Sequence, residues 1–235
     1  METKQVLQTN FMIKDLGDLR FFLGIEFARN STEIVMNQRK HVLELISDLR
    51  LSGTKPSSSP MEINVKLTIV DFDEHTRNTS TNLPLQDPSI YQRLIRRLLY
   101  LTITRPDICF VVQCLSQVIH CPKSSRMETA IRVVRYLKHC PGLGIFMPSN
   151  PSQQLTVYCD ADWASCPNTR RSVTDYLVKL GGSLISWKSK KQVTISRNFA
   201  KVEYRCLAFE IDEIVWLVGM SKEMNLDVQL PVPLY

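Results

Sequence analysis

No run of about 18 apolar residues occurs in the 235-residue sequence, so no membrane-spanning helix is expected. The opening Met1-Glu2-Thr3-Lys4-Gln5 lacks the blocks of a signal peptide, which predicts an intracellular chain, cytoplasmic or nuclear. Paired cysteine spacing is missing too. The seven cysteines are an odd number, and no two have the short spacing of a zinc knuckle. They suit a reducing compartment better than a disulfide framework. There is no phosphate-cradling glycine loop, no nucleophile triad, no cysteine–histidine pairing and no internal repeat of useful length. What is present, 44% hydrophobic and 22% charged residues, belongs to a folded globular chain.

The net charge of +6 is unevenly spread. Residues 1–90 carry 10 basic against 12 acidic side chains, and residues 156–235 carry 10 against 9. Residues 91–138 carry 9 against 2, so the excess sits in one segment. Arg93, Arg96, Arg97, Arg132 and Arg135 crowd that segment and predict a polyanionic partner, nucleic acid first. A solvated helix face is the plainer meaning of the same pattern.

Strands are predicted over 20–27 and 33–36, joined by a polar turn, and a helix from Asn37 with Val42, Leu45, Ile46 and Leu49 at spacings of three and four. Residues 52–90, rich in Pro, Ser and Thr, read as an extended connector. Helices are predicted over 91–101, 107–119 and 125–139. A Gly-, Pro-, Asn- and Ser-rich stretch at 142–154 marks a boundary. Beyond it come strands at 154–159, 173–180 and 183–188, the last two turning at Gly181-Gly182, another strand at 192–196, and a helix over 199–218. The order predicts an α+β chain.

Asp160 and Asp162 lie two apart at a strand end and point the same way, and Glu203 opens the next helix. Oxygen donors converging there suit Mg²⁺, although acidic strand ends are more often simply solvated. His120-Cys121-Pro122 and His139-Cys140-Pro141 fall where helices stop, a structural role that fits their spacing better than zinc.

Several motifs together carry a resemblance. Phe11-Met12-Ile13-Lys14-Asp15-Leu16-Gly17-Asp18-Leu19-Arg20-Phe21-Phe22-Leu23-Gly24-Ile25-Glu26 is similar to a segment of the Pol polyprotein of copia-type LTR retrotransposons. So are Leu98-Leu99-Tyr100-Leu101-Thr102, Thr104-Arg105-Pro106-Asp107-Ile108, Arg132-Val133-Val134-Arg135-Tyr136-Leu137-Lys138 and Asp160-Ala161-Asp162-Trp163-Ala164. Thr169-Arg170-Arg171-Ser172, the run from Ser183 to Gln192, and Glu203-Tyr204-Arg205 complete the series, in order along nearly the whole chain.

The resemblance implies the end of a reverse transcriptase palm and thumb region (1–52), a connector with basic helices (53–141) and an incomplete ribonuclease H-like domain (142–235). It makes Asp160 and Glu203 catalytic carboxylates that hold Mg²⁺ against an RNA–DNA hybrid. The family's Tyr-x-Asp-Asp hairpin does not occur in residues 1–10, and the Cys-Asp-Asn strand that supplies a third aspartate does not occur after Tyr235. Asp175 stands where the family has Gly, and Lys201 replaces an acidic neighbour of Glu203. The expectation is a Pol fragment without ribonuclease activity and with an unpaired sheet edge, retaining hybrid binding. The alternatives are an active ribonuclease H that recruits Asp162 or Glu210 as a third ligand, and a host module that binds without chemistry.

Overall fold

The computed structural model describes residues 8–14, 17–62, 67–75, 82–149 and 152–235. Residues 1–7 and 15–16, the latter inside the first family-like motif, lie outside them. The single strand expected over 20–27 is two strands, β1 (Phe21–Phe22) and β2 (Ile25–Arg29). Leu23 and Gly24 between them both have positive φ, 47° and 77°. Two such residues make the tight hairpin that matches strand twist. A Cβ on Gly24 would also stand 3.2 Å from the Tyr100 hydroxyl.

The Asn30 carboxamide accepts from the backbone N–H of Thr32 and Glu33, each at 2.8 Å, and turns the chain into β3 (Glu33–Asn37). Strand β4 (Ile145–Pro148), from beyond the helices, pairs antiparallel with β3 and completes a sheet ordered β1-β2-β3-β4. At its start a side chain on Gly144 would collide with the Met36 carbonyl.

Four helices supply the larger core: α1 (Arg39–Asp48), α3 (Ser89–Leu101), α4 (Cys109–Ser116) and α5 (Ser124–Leu137). Leu45, Tyr91, Ile95, Leu98, Leu115, Val133 and Leu137 are buried together in it. Burying one such aliphatic side chain contributes about 1.5–3 kcal/mol. The Tyr91 hydroxyl meets its need by donating to the Leu115 carbonyl at 2.8 Å. The connector is not wholly extended, because Val70–His75 forms a short helix, α2.

Strands β5 (Leu155–Asp162), β6 (Val173–Leu180) and β7 (Ser183–Lys191) form a second, antiparallel sheet in that order. Helix α6 (Phe199–Glu223) lies on it, begun by Asn198, whose side chain accepts from the Lys201 N–H at 3.0 Å. The strand expected at 192–196 is absent. β7 already fills the ladder beside β6 there, and that ladder ends where the Gln192 N–H donates to the Ser172 carbonyl, just ahead of β6.

The expected unpaired edge is also absent. Residues 229–235 run parallel to β5, bridging Gln229 to Gln154 and Leu234 to Val157, while Val232 and Leu234 pack on the core below α6. None of the helices in the described residues is long and apolar enough to cross a membrane.

Candidate functional site

Alternation along β5 sends Val157, Cys159 and Ala161 toward α6, and Tyr158, Asp160 and Asp162 to the opposite face. The register sets Asp175 directly opposite Asp160 on that face. Burial first, then the negative charges of Asp162 and Asp160, pushes the Asp175 carboxyl above the usual range, although the Ser189 hydroxyl pulls it down. Three carboxylates thus share one sheet face. Asp175 is the neighbour that residue-by-residue matching leaves out, and β6 alternation is the signal that finds it.

Glu203 comes from the other side. Its neighbours Val202 and Cys206 pack on Ala161, and the Cys206 thiol donates to the Asp160 carbonyl at 3.5 Å. The first turns of α6 therefore cross the backbone at Asp160. Burial pushes the Cys159 and Cys206 thiols up, with Glu203 and Glu210 adding to the effect. Asp160 and Glu203 leave their elements on opposite sides of β5 and can meet only across its outer edge.

The motif around them is held by two further bonds. The Trp163 indole donates to the Ser196 carbonyl at 3.1 Å, tying the strand end to the approach of α6, and the Ser172 hydroxyl accepts from the Ala164 N–H at 3.1 Å. One Asp160 oxygen accepts from the Ala161 N–H at 2.9 Å. Among the described residues no three His, Cys, Asp or Glu side chains gather as a metal-holding group. Two carboxylates with water suit a single Mg²⁺, whereas a pair of ions needs more carboxylates than these.

The basic residues divide into two sets. Arg97 pairs with Asp48 at 2.5 Å, Arg132 with Glu62 at 2.7 Å, and Arg135 donates to the Lys55 carbonyl at 2.8 Å. Lys138 donates to the carbonyls of Leu51, Ser52 and Thr54. Lys123 and Asp73 form a buried ion pair. The local excess of charge is thus largely met by the connector and α1. Arg93 and Arg96 are exposed on α3 and, among the described residues, make no such bond.

The Thr104-Arg105-Pro106-Asp107 motif is a structural joint. Arg105 grips Asp107 through two bonds, at 2.9 and 2.7 Å, and lies over the Tyr136 ring. Burial would raise the Asp107 carboxyl, but the Arg105 hydrogen bonds and charge outweigh it and hold it low. Thr104 donates to Gln38 at the start of α1, and the Trp187 indole of β7 donates to the Thr102 carbonyl at 2.8 Å, fastening the second sheet to α3.

An α+β chain with these motifs in this order is a piece of a retroelement polyprotein, and comparison with curated proteins gives the family. The chain belongs to the Pol polyproteins of copia-type retrotransposons. It is 34% identical over 233 residues to the retrovirus-related Pol polyprotein from transposon RE2 of Arabidopsis thaliana, covering 99% of this chain and 15% of that protein. It is 28% identical over 226 residues to the Pol polyprotein from transposon TNT 1-94 of Nicotiana tabacum, 94% of this chain and 16% of that protein. An uncharacterized mitochondrial protein of Arabidopsis thaliana is 32% identical over 210 residues, 89% of this chain and 83% of that protein. The chain therefore spans about one seventh of the transposon polyproteins it matches. No protein-family model and no solved structure matches it.

Proposed function

We propose that the chain is the reverse transcriptase–ribonuclease H junction of a copia-type Pol protein, binding RNA–DNA hybrid without cleaving it. In this reading residues 155–223 are the ribonuclease H-like part. Asp160 and Glu203 would hold Mg²⁺ at the outer edge of β5, where the ion, when bound, lowers the pKa of a coordinated water. The observation that supports the reading is the crossing of α6 over the Asp160 backbone through Cys206, which sets the helix that carries Glu203 beside the strand end that carries Asp160.

Phosphate contact is assigned first to Arg93 and Arg96, because Arg97, Arg132 and Arg135 must release an intramolecular partner before they can join. Hybrid binding should weaken linearly on a log–log plot against salt, by about 0.9 per phosphate neutralised on a duplex. Replacing Arg93 and Arg96 together by Ala should lower that slope by about two. Fluorescence anisotropy with a labelled hybrid across a salt series measures it, and a slope unchanged by the double substitution contradicts the assignment.

A further inference from the structure

A single helix about 10–12 Å across covers roughly two strands spaced about 4.8 Å apart. Helix α6 accordingly packs on β5 and β6 and leaves the same face of β7 open. The residues that face carries are Ser186, Lys188 and Lys190, set opposite Val178, Tyr176 and Thr174 of β6. Between the open face and the flank of α6 lies a pocket of about 230 Å³, lined by Thr174, Tyr176, Lys190, Gln192, Arg205 and Phe209.

Three properties of this pocket point to one kind of ligand. Its floor is aromatic, with the Tyr176 and Phe209 rings 6.2 Å apart at 46°. Its rim is cationic. Lys190 and Lys188 hold their ammonium groups 5.1 and 5.8 Å from the Phe209 ring centre, and among the described residues neither they nor Arg205 is ion-paired. Arg205 spends Nη1 on the Ser196 hydroxyl and the Thr194 carbonyl and has its other donors to offer. Among the described residues no carboxylate lines the pocket: Glu210 is buried in the core, and Glu213 accepts from Ser186 at 2.8 Å. The wall also holds an acceptor in need of a donor, since Gln192 Oε1 is buried without a hydrogen-bond partner.

A flat ring that carries N–H groups and a phosphate meets all three. The volume lies below the roughly 300 Å³ at which pockets for drug-sized ligands begin, so it admits one ring system and excludes a duplex. We propose that the pocket between β7 and α6 takes one base of a single-stranded nucleic acid, its ring against Phe209 and Tyr176 and its phosphate on Lys190 and Arg205. Aromatic stacking combined with a basic rim is how single strands are held without regard to sequence. The site is separate from the edge of β5 and from Arg93 and Arg96, and it does not depend on hybrid binding there.

The test uses the full chain and an eight-nucleotide oligo(dT) carrying one 5-iodouracil. Irradiation should crosslink the oligonucleotide to Tyr176 or Phe209, as mapped by mass spectrometry on the unaltered protein. Lys190→Gln, an exposed substitution that spares the fold, should weaken oligonucleotide binding about tenfold, whereas Lys222→Gln at the far end of α6 should leave it unchanged. UMP should compete for the same pocket at least tenfold more weakly than the oligonucleotide. Crosslinks confined to residues outside the pocket, binding unchanged by Lys190→Gln, or UMP binding as tightly as the oligonucleotide would each overturn the proposal.

Discussion

At position 210 a carboxyl group lies fully buried, with neither oxygen hydrogen-bonded. Burial, and after it the charge of Glu213, pushes its pKa up from 4.5 to about 7. The groups facing it are Cys206 and Glu213 on its own helix, Cys159 on β5 and Tyr176 on β6, none of them a cation. An unfolded chain gives up this proton near 4.5 and the folded chain keeps it to about 7. Through that window the folded state binds more protons, so stability falls as pH rises and levels off above it.

With each pKa unit equal to about 1.4 kcal/mol, the loss between about pH 5 and about pH 8 is on the order of 2 kcal/mol. Glu210→Met fills the same space without a charge. Denaturant unfolding across this range should show the slope in the parent chain and a flatter, more stable profile in the variant. An unchanged slope would assign the pH dependence to other groups. In the sequence Glu210 is only an acidic residue on the same helix face as Glu203, two turns further on. Its burial is set by α6 lying across β5, a contact between distant segments that no local pattern reports.

Elements show the same division between local and distant information. The 3.6-residue periodicity of α1, α3 and α5 was visible in the sequence, because each buries one stripe against the same core. The alternation of β5 and β6 was visible for a related reason, as one face is covered by α6. The segment at 192–196 has the composition of a strand but no free ladder to join, and the tail 229–235 does the reverse, pairing with β5 where an unpaired edge was expected.

The basic helices were the hardest part to read. Their cations stand without acidic neighbours in sequence, yet Asp48 at the end of α1, and Glu62, Asp73 and the carbonyls of residues 51–55 beyond it, reach several of them. On this account α5 is fastened to the connector through its arginines. Arg132→Ala with Arg135→Ala should cost about 1–2 kcal/mol, since each net hydrogen bond contributes about 0.5–1.5 kcal/mol. For a chain of this length that lowers Tm by roughly 2–8 °C. Arg93→Ala with Arg96→Ala should leave Tm within about 1 °C, surface changes away from such contacts being nearly neutral. Calorimetry on the two variants decides it, and equal melting temperatures would mean that the connector bonds contribute nothing to stability.

Across the whole molecule, the first sheet, the helical core and the second sheet are joined by bonds from family-like motifs: Thr104 to Gln38 and Trp187 to Thr102. What they deliver is a strand end bearing Asp160 beside a parallel tail. Leu234 bridges Val157, and Tyr235 stacks on Tyr158 with ring centres 5.4 Å apart, so the last residues of the tail advance in step with β5, their paired side chains on one face. In that register, the second residue of a strand grafted after Tyr235 would lie beside Asp160, about 4.8 Å away across the ladder and on the same face. In the proposed site, Asp160 and Glu203 alone would present two negative charges to two divalent ions that repel one another, too few to hold a metal pair.

The chain as it stands should therefore leave the RNA of an RNA–DNA hybrid intact in Mg²⁺. Grafting Cys-Asp-Asn after Tyr235 should confer cleavage, and Asp160→Asn in the grafted chain should abolish it. Gel analysis of a labelled hybrid reads all three. Metal-dependent cleavage by the ungrafted chain, lost in Asp160→Asn, would restore an active ribonuclease H with a third ligand such as Asp162 or Glu210. A grafted chain that folds and stays inert would instead show that Asp160 and Glu203 do not meet across the β5 edge. That outcome would pass the role of second carboxylate to Asp175, which already faces Asp160 on the same side of the sheet.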